Sequence, residues 1–133
     1  MPETVVALTN VGLSMIVDRI RGVGTEPRYG HWGSGTSTAD PSDVELQYPR
    51  DEESLSSGSS SKQTSIVSGD TYQVVVTLTV VDNPATITEF GLFDSSGKLF
   101  LRATFDEINI EVGDAVQFTV TVIGSIGTEV SQE

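Results

Sequence analysis

The strongest constraint on this chain is a period of two. In "TYQVVVTLTVV", Tyr72, Val74, Val76, Leu78 and Val80 alternate with Gln73, Val75, Thr77, Thr79 and Val81. In "AVQFTVTVIG", Val116, Phe118, Val120 and Val122 alternate with Gln117, Thr119 and Thr121. Successive side chains of a strand point to opposite faces, so this alternation of β-branched and aromatic residues predicts half-buried strands. "ATITEFGLFD", "KLFLRATF" and "EINIEV" read as further strands between them. The breaks are chemical: "NP" at 83 and 84, "DSSGK" at 94 to 98, and "GD" at 113 and 114. "DSSGK" suits a type I turn with Gly97 left-handed, which closes a hairpin. Short strands separated by turns predict a mainly β fold, an antiparallel β-sandwich or barrel, over residues 63 to 124. Gly91 sits inside one strand, on the face shared by Glu89 and Phe93. A strand glycine marks a bulge or a close approach, and the expectation is that Trp32 or Phe100 lies over it.

One short N-terminal α-helix is predicted over residues 9 to 22. Leu13, Ile16, Val17 and Ile20 fall at i, i+3, i+4 and i+7, and this face is expected to pack on the sheet. Thr9 or Asn10 can cap its start, and Gly22 or Gly24 can end it. Residues 28 to 32 read as a short strand. From 34 to 61 the chain is rich in Ser, Gly and Asp, which predicts a long surface loop with a flexible tip at "SLSSGSSSK". Val44, Leu46, Tyr48 and Leu55 are its candidate anchors. Residues 1 to 8 read as an arm and 125 to 133 as a tail of a single domain spanning 1 to 133.

Composition narrows the function. With 7 basic and 19 acidic residues the formal charge is −12, which repels phosphate backbones and anionic lipid, so neither nucleic acid nor membrane is an expected partner. There is no cysteine, hence no disulfide or thiolate chemistry. The N-terminal stretch lacks the apolar run of a signal peptide, so synthesis and folding in the cytoplasm are expected. The single histidine, His31, has Ser34 and Asp40 nearby, but "GHWGSGTS" lacks the G-x-S-x-G elbow, and a triad is defined by geometry. "GSGTSTAD" has neither G-x-G-x-x-G nor a P-loop lysine. Asp40, Asp43 and Glu45, and Asp51, Glu52 and Glu53, are oxygen-rich groups of the kind calcium takes, without EF-hand spacing. One histidine and no cysteine argue against zinc. The reading is non-enzymatic, with no catalytic residue, cofactor or metal.

Three stretches carry a resemblance: "TNVGLSMIVDRIRGVGTEPRYGHWGSGT", "TYQVVVTLT" and "ITEFGLFDSSGKLFLRATFDEINIEVGDAVQFTVTV". Together they resemble small virion structural proteins of tailed bacteriophages, and the hairpin in the last is similar to one in tail-fibre and baseplate modules. The resemblance implies a capsid decoration (cement) protein, often trimeric, that binds the major capsid protein on the outer lattice of the virion. A tail, baseplate, neck or fibre-attachment protein is the alternative. A carbohydrate-binding module, with Tyr29, Trp32 and Tyr48 stacking on sugars, is the third. Under the first reading the partner contacts are expected at Thr4, Val5, Val6 and Leu8, and at Tyr29, Trp32 and Tyr48 in and beside the loop.

Overall fold

A computed structural model describes residues 4 to 124. The tail at 125 to 133 and the first three residues of the expected arm lie outside the described residues. The fold is mainly β, with antiparallel sheets stacked as a sandwich and one short helix. Sheet A has the order β1-β7-β6-β2-β3: Val5–Leu8, Leu99–Ile110, Ala85–Phe93, Tyr29–Gly33 and Ser56–Ser57. Sheet B has the order β4-β5-β8: Ser59–Gln63, Thr71–Thr79 and Ala115–Ile123. The helix α1, Asn10–Ile20, joins β1 to β2.

The alternation sorts side chains as expected. Val74, Val76, Leu78 and Val80 are buried from sheet B, and Trp32, Ile87, Phe90, Leu92 and Leu101 from sheet A. Phe118 of β8 seals the two layers. It stacks on Phe90 at 4.4 Å between centroids and meets the edge of Trp32 at 6.4 Å, arrangements that favour aromatic pairs. The β6–β7 hairpin closes as predicted: the Gly97 amide donates to the Asp94 carbonyl at 3.1 Å, and Gly97 has φ +88°. "KLFLRATF" and "EINIEV" are a single strand, β7, made continuous by a register shift between Ile87 and Glu89 of its partner. Three connections, between β3 and β4, between β5 and β6 and between β7 and β8, pass from one sheet to the other.

The residues expected as an arm are in part a strand. Val5 to Leu8 pair with Thr104 to Leu101, because their uncharged, β-branched run extends sheet A at its edge. The expected loop is also largely tied down. The stretch read as a flexible tip, residues 54 to 62, contains β3 and most of β4, since serine hydrogen-bonds through its backbone as any residue does when a partner strand is offered. Residues 34 to 55 fold over the outer face of sheet A as a third layer, with Leu46 buried against Phe93 and Leu99. Val44, Tyr48 and Leu55 remain exposed.

The helix is rotated from its expected pose. Gly12 and Met15 face inward, Ile16 packs on the core edge, and Leu13, Val17 and Ile20 point to solvent. The cause is a tether to β7. The Thr9 amide donates to the Phe100 carbonyl at 3.1 Å, its hydroxyl donates to the Leu99 carbonyl at 2.7 Å, and Oγ1 caps Gly12 N at 2.8 Å. A Cβ at Gly12 would collide with the Phe100 carbonyl, so the helix comes this close only at a glycine. Gly91 has a comparable role in the sheet, but its neighbours are Phe93, Leu46 and Leu99, at 2.8, 2.9 and 3.0 Å from a Cβ placed there. The expected cover, Trp32 or Phe100, belongs to the opposite face, in the interior cluster.

Candidate functional site

The polar residues singled out in the sequence are consumed by structure. Glu89 is fully buried on the outer face of β6. Its Oε1 accepts from Gln47 N and Arg102 Nε, both at 2.9 Å, and its Oε2 from Gly35 N and Tyr48 N, both at 2.8 Å. One carboxylate thus accepts from three loop amides and from a buried guanidinium, whose Nη1 reaches Asp43 at 3.1 Å and whose Nη2 is buried without a partner among the described residues. Glu53 is a second hub. Its Oε1 accepts from the Trp32 indole and from Arg50 Nε, both at 2.7 Å. The Arg50 hydrogen bond holds the Glu53 carboxyl below its ordinary value, against the opposing effect of burial.

These bonds engage several carboxylates of the two oxygen-rich groups, Asp40, Asp43 and Glu45, and Asp51, Glu52 and Glu53. Asp40 accepts from the Ser42 amide and hydroxyl at 2.8 and 2.6 Å, while Asp43 and Glu53 face arginines. Their lone pairs are directed at protein donors. His31 lies on the outer face of β2 and is buried, which pulls its pKa down against the raising influence of Glu53 and Asp51. Its Nδ1 has no hydrogen-bond partner among the described residues, and a backbone hydrogen bond at Arg50 opposes the downward shift.

The expected contact residues separate into three places. Trp32 is 0% exposed and Nε1-bonded to Glu53, so it offers no ring to a sugar or a protein. Tyr29 sits on the opposite face of β2, half-buried beside Leu46, Phe93 and Leu99 under the Arg28 guanidinium. Tyr48 is exposed on the loop. Positions 29 and 32 are an odd number apart on a strand and point to opposite faces, so these three rings form no common platform. Thr4, Val6 and Leu8 do line grooves, Val6 and Leu8 on the inward face of β1; Val5 points to the other face.

The larger groove, of about 1050 Å³, runs between α1 and the end of sheet B. Leu13, Val17 and Ile20 form one wall, Tyr72, Val122 and Ile123 the other, and Leu8 and Phe100 also line it. The Tyr72 hydroxyl donates to the Pro27 carbonyl at 3.0 Å, and burial, then Glu26, raises its pKa. Arg19, Lys62, Glu26 and Asp70 rim the groove with charges of both signs. An apolar cleft with a polar rim is the anatomy of a binding surface. The helical periodicity was the signal for its wall, but periodicity alone assigned that face to the core. The smaller groove, of about 440 Å³, lies along β8 and includes Val6, Ala103, Phe105 and Phe118.

Comparison with protein-family models, with curated proteins and with solved structures finds no match.

Proposed function

We propose that this chain is a non-enzymatic structural protein of a tailed-phage virion, most readily a capsid decoration protein that binds the outer lattice of the major capsid protein and stabilises the shell. The observation that supports the protein-binding part of this reading is the outward apolar wall of α1, with Ile20 at 70% exposure, facing the Tyr72–Val122–Ile123 wall across an open cleft. A chain of charge −12 gains nothing in solubility from such a cleft, and its burial against a partner releases water from both walls. The acidic exterior supports attachment to a protein lattice over attachment to nucleic acid. The carboxylates nearest to forming a chemical site, Glu89 and Glu53, are saturated by structural donors, which supports a binding role over a catalytic one. The virion assignment itself rests on the sequence resemblance.

Quantitative mass spectrometry of purified particles tests it. About one copy per major capsid subunit is the expected result. A few copies per hundred capsid subunits move the protein to the tail or neck, and absence from particles overturns the virion reading.

A further inference from the structure

Sheet A has five strands and sheet B has three, and the mismatch falls on one side. β8 is the last strand of sheet B, and among the described residues nothing pairs with its second edge. Sheet A continues past it: Phe118 of β8 stacks over Phe90 of β6 and lies 6.0 Å from Phe105 of β7, while β1 lies one strand further out. Val6 and Ala103, adjacent on β1 and β7, therefore form the floor of a groove beside β8, and Val6 is 60% exposed.

The edge itself is unprotected. Ala115–Ile123 holds nine residues in unbroken register with β5, without a charge, a proline or a bulge. Natural edge strands carry such devices to prevent pairing. The inward residues of β8, Val116, Phe118, Val120 and Val122, are only half-buried, whereas their neighbours Val74, Val76 and Leu78 on β5 are buried. One side of β8 offers unpaired backbone and, next to it, an apolar floor. A strand laid there would lie about 4.8 Å from β8 and about 10 Å above β7 and β1, the two spacings of a sandwich.

We infer that β8 is an acceptor edge, which takes an extended peptide segment of a partner protein as the fourth strand of sheet B. The overhang decides against a second copy of the whole fold. Antiparallel pairing of two β8 edges about a two-fold axis keeps both A sheets on the same side of the merged sheet. The overhanging β7 and β1 of the two copies would then occupy the same space. A single strand fits where a sandwich does not. The segment it fits is uncharged, with β-branched or small apolar residues at alternate positions facing Val6 and Ala103, and about six to nine residues long. This deepens the assembly reading, on which it rests only for the partner being a protein of the particle.

The test uses the full chain and a synthetic probe, the acetylated peptide Thr-Val-Thr-Val-Thr-Val-Thr-Lys amide, followed by NMR and amide exchange. A fully N-methylated counterpart keeps the side chains and has no N–H to donate. At a peptide concentration about ten times Kd, exchange of alternate amides between Ala115 and Ile123 is expected to slow about tenfold. The N-methylated peptide is expected to leave them unchanged. Val6→Lys, an exposed position, puts a charge on the groove floor and is expected to abolish the effect while the rest of the spectrum stays native. Shifts confined to the α1 groove, equal slowing by the N-methylated peptide, or a peptide-free dimer with β8 already protected would each overturn the inference. A protein present on particles with an inert β8 overturns this inference alone. A responsive β8 in a protein absent from particles overturns only the virion reading.

Discussion

Glu89→Gln is the perturbation with the largest effect expected from a change of one atom. The carboxylate is fully buried and accepts four N–H bonds, three from the loop backbone and one from Arg102. The amide turns one acceptor oxygen into an NH₂ aimed at two of those donors, and it removes the charge opposite a guanidinium that is 1% exposed. Breaking one partner of a buried ion pair costs about 3–5 kcal/mol, and Arg102 then keeps only the partly exposed Asp43 carboxylate, at 3.1 Å, as its counter-charge. For 133 residues the unfolding entropy is about 0.28 kcal/mol/K near 60 °C, so the midpoint should fall by about 11–18 °C. Thermal unfolding followed by circular dichroism reads the shift. Hydrogen exchange reads its location: the amides of Gly35, Gln47 and Tyr48 should lose protection first, while β5 keeps its own. The double variant Glu89→Leu with Arg102→Met should regain part of the midpoint, since a buried pair replaced by apolar groups is often neutral. It should not restore protection to the three loop amides, whose acceptor is gone. A drop of less than about 3 °C in the single variant, or unchanged protection at those amides, would refute the view that Glu89 ties the loop to the sheet.

Gly91→Ala should destabilise by about 1–3 kcal/mol, since its Cβ would sit at 2.8–3.0 Å from Phe93, Leu46 and Leu99; chemical denaturation measures it, and adding Leu46→Ala should relieve part of the crowding. Thr9→Ala removes the cap of α1 and its hydroxyl bond to Leu99, and should cost about 0.5–2 kcal/mol, with exchange rising at Gly12 and Leu13 before the sheets respond. Glu53 and His31 both have folded pKa values below their ordinary ones, so each binds protons more readily in the unfolded chain. Stability from each is complete above its ordinary value and is lost as pH falls through the lowered one. The His31 contribution therefore declines from pH 6.5 downward and the Glu53 contribution from pH 4.5 downward. Midpoints measured from about pH 8 down to about pH 2 should show the upper step vanish in His31→Gln while the lower one remains; a His31→Gln profile that keeps both steps would show that His31 is not the titrating group.

Part of the groove lining was legible before the fold was known. Thr4, Val6 and Leu8 line the two grooves, because an uncharged, mostly apolar run brings apolar side chains to whatever surface it borders. Trp32 was misassigned because a ring in a Gly-rich stretch looks available, whereas its strand partner Phe90 turns it into the core. The solvent-facing wall of α1 was read as core because amphipathicity identifies a face and not what covers it.

What the sequence determined by itself is local. Alternation along Tyr72–Val80 and Val116–Val122 settled which residues share a face, and "DSSGK" settled one turn, because strand pleat and turn chemistry act between near neighbours. The tertiary structure decided how those strands divide into two sheets, which face of α1 looks inward, and what fills the space over Gly91. Those outcomes depend on contacts between residues far apart in the chain: Thr9 with Leu99, Leu46 with Gly91, and Glu89 with Gly35, Gln47 and Tyr48. No local spacing encodes such pairs, since each is fixed only when folding brings a buried donor to an acceptor, or an apolar side chain into the space a glycine leaves.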